Sequence, residues 1–161
     1  MEPNITAIKK RIRKSMAAKP FKKGDRILVL GSGDAKAAVT EFFLRDILKG
    51  FPAEITKEKS AKNSAKYDKI IIPWSLEDEC SEFIEGLFGG KIAVKSQKKE
   101  IRLLKGVKEE EINAVAKSQK LKFKKHDEKK SKIRIMLDLL EKKYPGYKFA
   151  LLNSIKELEG L

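Results

Sequence analysis

Residues 26–39 read RILVLGSGDAKAAV. An apolar run of strand character meets a Gly-Ser-Gly turn, and helix-forming residues follow it. A strand–turn–helix of this kind gathers backbone N–H groups and a helix N-terminus at one strand end, which is how an anion site is built. Gly31, Ser32 and Gly33 permit that geometry. Asp34 would repel a phosphate, Lys36 would attract one, and Asp34 serves equally well as a helix cap. On these residues alone, an anion site and a plain tight turn stand level.

Outward from the loop, strand and helix patterns alternate. Ile5, Ile8, Ile12 and Met16 repeat at helical spacing among lysines and arginines, predicting a basic amphipathic helix that ends near Pro20. Residues 27–30 predict a buried strand. Residues 35–48 predict a helix with Val39, Phe42, Phe43 and Ile47 inward, ended by Gly50 and Pro52. Short strands are expected at 53–56 and 68–72, separated by a polar loop at 57–66. Ser75 is placed to cap a helix running to about Leu87, with Glu77, Asp78 and Glu79 in its first turn, where the dipole favours negative charge. Gly89 and Gly90 close it, and another strand is expected at 91–95. Helices at 109–117 and 131–143 follow, the second with Ile133, Met136, Leu137 and Leu140 inward. Pro145 and Gly146 turn the chain into a last apolar segment at 147–158. Alternating strands and helices predict a parallel α/β sheet whose ligands lie at the carboxyl ends of its strands.

The chain has 161 residues, the size of one domain, and 41% of them are apolar, enough for a core. No apolar run approaches the ~20 residues of a membrane helix, and the first residues lack the pattern of a secretory signal. A single cysteine, Cys80, leaves no internal disulfide and no cysteine-based zinc cluster within these residues, so a reducing cytoplasm is the expected setting. Lysine plus arginine is 37 against 23 acidic residues, a net charge of +14, which points to a polyanionic partner, RNA or DNA first. Two basic stretches stand out: Lys9, Lys10, Arg11, Arg13 and Lys14, and residues 121–134, LKFKKHDEKKSKIR. In the second, Lys122, Lys124, Lys125, Lys129, Lys130, Lys132 and Arg134 surround Phe123 and could track a phosphate backbone.

Other residues carry less. His126 has no second histidine or cysteine with which to share a metal. Glu77, Asp78 and Glu79 could meet magnesium, though such a cluster more often answers a helix N-terminus. Three acidic neighbours argue against Cys80 as a nucleophile. Trp74, at a strand end, could stack on a base or simply pack.

LGSGDA together with YDKIIIPWSLED resembles the first and fourth motifs of Rossmann-like methyltransferases, which would imply S-adenosylmethionine. A second resemblance takes in more of the chain. Residues 25–37, DRILVLGSGDAKA, are similar to the SGGxDS loop of the PP-loop ATP pyrophosphatases, with Ser32 and Gly33 kept. Residues 70–90, IIIPWSLEDECSEFIEGLFGG, resemble the LDDE segment of the tRNA thiolation branch, with Leu76, Asp78 and Glu79 matching. In RLLKGVKEEEINAVA, residues 102–116, Arg102, Leu104, Glu109, Glu111 and Ile112 fall in register with a further segment of that branch. Residues 134–154, RIMLDLLEKKYPGYKFALLNS, are similar to its closing helix and turn. The four segments occur in family order. They identify the chain as resembling the tRNA 2-thiouridine and 2-thiocytidine synthetases of the PP-loop superfamily.

That resemblance implies a Rossmann-like, adenine nucleotide alpha hydrolase-like parallel sheet in reduced form. On it the chain is one domain: a basic helix at 1–20, a reduced PP-loop core at 21–95 and a mainly helical part at 96–161. In such enzymes the loop cradles the pyrophosphate of ATP, and adenylation activates the target base. Here Asp34 replaces the second glycine, Lys36 the acidic position and Ala37 the closing serine; the paired CxxC ribbons are missing, and Trp74 replaces a histidine. These departures predict that catalysis is lost, and no catalytic residue and no metal ligand is assigned. ATP with magnesium is the candidate ligand, held weakly by Gly31, Ser32, Gly33, Asp34, Lys36, Trp74 and Asp78. The expected partners are tRNA or another structured RNA, and an active tRNA thiolation enzyme, with no membrane. A weakly active ATP-binding tRNA-modification enzyme is the alternative.

Overall fold

The computed structural model describes residues 2–91, 98–125 and 129–160. Its centre is a four-stranded, all-parallel sheet in the order β2-β1-β3-β4. The strands are β1 (Arg26–Leu30), β2 (Glu54–Glu58), β3 (Lys69–Ile72) and β4 (Glu100–Arg102). The helices are α1 (Ile5–Met16), α2 (Ala35–Ile47), α3 (Leu76–Phe88), α4 (Glu109–Ser118), α5 (Lys132–Lys143) and α6 (Tyr147–Glu159). The expected Rossmann-like α/β class is therefore the observed one.

β1 and β3 are central because their apolar runs are buried; Ile27, Leu28, Ile70 and Ile71 are each at most 3% exposed. One core joins Ile8, Ile12 and Met16 of α1 to Ile27 and Val29 of β1, Phe43 and Leu44 of α2, and Ile112 and Val115 of α4. The basic residues of α1 thus ride on a helix whose other face is in the core, as its spacing predicts. A second core gathers Leu76 and Cys80 of α3, Leu137 of α5 and Leu152 of α6.

Several expectations need correction. β2 runs on through Lys57 and Glu58, which their polar character assigns to a loop; it lies at the sheet edge beside β1, where charged side chains are tolerated. The fourth described strand is Glu100–Arg102, at a position without a strand signal, and Ile101 alone is buried within it. The strand expected at 91–95 lies, past Lys91, outside the described residues, as does His126. Met136 is 37% exposed and not inward, because α5 turns Leu137 into the core and leaves Ile135, Met136 and Leu139 on the far side.

Candidate functional site

In the strand order β2-β1-β3-β4, the crossover direction reverses between β1 and β3, and the crevice beyond their carboxyl ends is where such sheets take ligands. β1 delivers the Gly31-Ser32-Gly33 turn to that edge. A Cβ at Gly31 would meet the Ala37 Cβ at 3.1 Å, a tight approach that glycine avoids, and Gly33 has φ +80°, open to glycine without strain. Asp34 is the N-cap of α2: one carboxylate oxygen accepts the Ala37 N–H at 2.8 Å, and the other accepts the Ser32 hydroxyl at 2.9 Å. A carboxylate of the protein therefore engages donors that a phosphate at a helix N-terminus would use. From above, the Lys124 N–H donates to the Gly33 carbonyl at 2.8 Å, tying the basic segment after α4 across the loop.

β3 delivers Ser75, which caps α3 in a reciprocal capping box with Asp78. Asp78 is also a charge node. Lys36 Nζ of α2 reaches it at 3.1 Å, and Arg134 of α5 donates to its other oxygen. Arg134 also pairs with Glu109 of α4 at 2.7 Å, and Lys36 lies 3.8 Å from the same carboxylate. Four helices thus meet through one cluster that is mostly shielded from solvent. Burial works against the Arg134 charge, but Glu109 and Asp78 more than offset it and hold its pKa above the usual arginine value.

Behind this cluster, Glu77 accepts the Glu109 N–H at 2.9 Å and the Lys148 ammonium at 3.0 Å. Burial pushes the Glu77 carboxyl up against the pull of Lys148. Glu79 pairs with Arg102 at 2.8 Å. The three successive carboxylates therefore address three different sets of basic partners, and no group of three or more metal-ligating side chains converges among the described residues. Arg102 lies over the Trp74 ring at 4.4 Å from its centroid, so one stacking face of Trp74 is covered by a guanidinium.

Two crevices flank the loop. One, of about 300 Å³, lies toward β2 and is lined by Gly31, Gly33, Lys57, Glu58, Lys59 and Lys122. The other, of about 420 Å³, lies toward α4 and α5 and includes Asp34, Lys36, Lys117, Lys124, Lys125 and Arg134. The nucleotide candidates Gly31, Ser32, Gly33, Asp34, Lys36 and Asp78 are thus brought together, with Trp74 at the far side of the Asp78 node. Lys57 and Glu58 carry no signal in the sequence that would mark them for this crevice, because their strand is not legible as one. Of the RNA candidates, Lys122, Lys124, Lys125, Lys130 and Arg134 gather near the loop, and Lys129 lies beside Trp74. Lys132 begins α5 and is exposed. Lys9, Lys10, Arg11, Arg13 and Lys14 belong to α1, where Lys9 pairs with Asp46, and Arg11 with Glu111.

No family model and no curated protein matches the chain in sequence. Among solved structures, it is similar to the U34-tRNA thiolase NcsA from Methanococcus maripaludis, determined with its [4Fe-4S] cluster. The superposition has a TM-score of 0.73 at 17% identity, over 96% of this chain and 78% of that one. At that identity the likeness is one of fold. The residues here do not fit an iron–sulfur cluster, which is held by several cysteine thiolates. Cys80 is the only cysteine in the sequence. It is fully buried, its thiol faces the Lys148 carbonyl at 3.6 Å, and burial and then Glu77 and Glu79 push its pKa up to about 12.

Proposed function

We propose that this chain is a degenerate relative of the PP-loop tRNA thiolation enzymes that binds tRNA or another structured RNA without catalysing its modification. It would act alone or beside an active thiolation enzyme. The thiolase fold and the four sequence segments in family order support the family reading. The observation that carries the loss of catalysis is the Asp34 carboxylate, which takes the Ser32 hydroxyl and the Ala37 N–H for itself. Ala37 offers no hydroxyl, and the ammonium of Lys36 faces Asp78 and Glu109. A net charge of +14 supports RNA as the partner.

Titration against a tRNA transcript, with parallel calorimetry against ATP–magnesium and S-adenosylmethionine, tests the proposal. The expected outcome is salt-sensitive tRNA binding with no heat from either small molecule. Pyrophosphate release from ATP in the presence of tRNA would overturn the non-catalytic reading. Absence of tRNA binding at low salt would overturn the RNA reading.

A further inference from the structure

The positive charge of the chain is not spread evenly over its concavities. In the crevices beside β2, β4, Trp74 and Lys148, basic side chains nearly match acidic ones: three against two, four against three, three against three, and four against five. The crevice of about 420 Å³ toward α4 and α5 departs from this, with six basic side chains against Asp34 and Glu109. Three of the six are held by carboxylates: Lys36 by Asp78, Lys130 by Asp138, and Arg134 by Asp78 and Glu109. The other three, Lys117, Lys124 and Lys125, are exposed, and no carboxylate pairs with them among the described residues. Glu109 is answered by Arg134, which leaves the three ammonium groups in excess over Asp34 at these walls.

The same crevice has an aromatic wall. Phe123 is half-buried; it packs against the main core and also lines the crevice. The backbone on either side of it is fixed. The Leu121 N–H donates to the Ala116 carbonyl at 2.9 Å, and the Lys124 N–H to the Gly33 carbonyl at 2.8 Å. The ring and the lysines that follow it are thus carried on a segment already in place, which spares a ligand part of the cost of ordering it. The volume lies within the range of about 300–1,000 Å³ that takes a small ligand. An aromatic ring set among cationic side chains suits one nucleotide, whose base has a π-face and whose phosphate is an anion. A base inside a helix has both faces covered by its neighbours, so only an unstacked one can reach Phe123.

We propose that this crevice holds one unpaired nucleotide of an RNA strand, with its base against Phe123 and the flanking phosphates on Lys117, Lys124 and Lys125. This rests on the RNA reading above and names the form of RNA and the residues that take it. The lysine contacts set affinity and orientation and carry no base sequence, and stacking on a ring tolerates any base. The site therefore selects strand form rather than sequence.

The test is a titration over a series of salt concentrations with two labelled RNAs, an oligouridylate, which forms no helix of its own, and a blunt-ended duplex. The proteins are the unaltered chain, Phe123→Leu, Phe123→Tyr, and Lys117→Gln/Lys125→Gln, whose two positions are exposed so that folding is not at risk. The unaltered chain is expected to prefer the single strand. Phe123→Leu keeps apolar bulk against the core; it should bind the strand about fivefold to a hundredfold more weakly with an unchanged salt slope, since stacking is not ionic. Phe123→Tyr, which keeps the ring, should bind as the unaltered chain does. The lysine variant should lose about tenfold at low salt, with the slope of log K against log salt falling by about 1. Undiminished strand binding by Phe123→Leu or by the lysine variant overturns this site, as does equal affinity of the unaltered chain for the duplex; tRNA binding by the unaltered chain would then leave the RNA reading standing. No RNA binding by the unaltered chain at low salt overturns both. Uridine monophosphate is the last arm: displacement of the strand by it at concentrations near the Kd of the strand would assign the crevice to a free nucleotide and overturn RNA as the occupant.

Discussion

The Ser32 hydroxyl donates to the Asp34 carboxylate at 2.9 Å, so the glycine turn is closed by its own acid. Asp34→Gly should release that hydroxyl and the Ala37 N–H. As an N-cap change to glycine it should cost only a few tenths of a kcal/mol, against about 1 kcal/mol for Asp34→Ala. Calorimetry with pyrophosphate is expected to show binding by Asp34→Gly that the unaltered chain lacks. Asp34→Asn, which keeps the cap and removes the charge, should fall between them. If Asp34→Gly gains nothing, the loop is a turn and never a vacated phosphate site.

Much of this arrangement is legible in the sequence, and the limits have physical causes. β1 and β3 announce themselves as apolar runs because both of their faces are covered. Asp34, Ser75 and Ser131 are readable as helix starts because a cap needs only the residue and its next turn. β4 is not readable, since Glu100–Arg102 becomes a strand only by pairing with β3. The partners of Lys36 are equally hidden. Asp78 and Glu109 come from other helices, and nothing in the spacing of the chain specifies that the sheet order will bring them to α2.

Asp78 joins Ser75, Lys36 and Arg134, and it is mostly shielded from water. Removing it leaves Lys36 and Arg134 to share the single carboxylate of Glu109 in a partly buried setting, where a cation in excess is costly. Asp78→Ala is therefore expected to destabilise the chain by about 3 kcal/mol, read as a lower urea midpoint. Arg45→Ala removes a pair with Glu41 whose arginine is 69% exposed, and should move the midpoint by no more than about 0.5 kcal/mol. Comparable losses from both would contradict the placement of Asp78 at a shared junction.

Two glycines should respond oppositely to alanine. Gly33 sits at φ +80°, and its carbonyl receives the Lys124 N–H. Gly33→Ala should cost about 1–2 kcal/mol through the left-handed backbone. At Gly106 a Cβ would meet open space, and the backbone has no positive φ. Gly106→Ala should be neutral, or stabilising by about 0.5 kcal/mol through the unfolded chain. Thermal melts of the two variants separate these outcomes by sign.

Acid should weaken the junction between α5 and α6 through Glu141. Burial alone would raise its pKa, but the Lys108 ammonium and the N–H groups of Lys148 and Gly146 overcome that and lower it from 4.5 to about 2. A carboxyl whose folded value lies below its unfolded value contributes stability that is fully present above the unfolded pKa. That contribution is lost as pH falls toward the folded pKa, so the window runs from about pH 5 down to pH 2. A shift of this size corresponds to at most about 3 kcal/mol at neutral pH, reduced by solvent screening of the pair. Glu77 runs the other way: burial raises its pKa, so protonation opposes the acid loss there. Urea midpoints at pH 7 and pH 3 should therefore differ strongly in the unaltered chain and less in Glu141→Gln, whose neutral amide no longer titrates, the remaining fall coming from Asp138, Glu41 and Asp68, whose basic partners also lower their pKa values. An equal fall in both proteins would place the acid-sensitive group elsewhere.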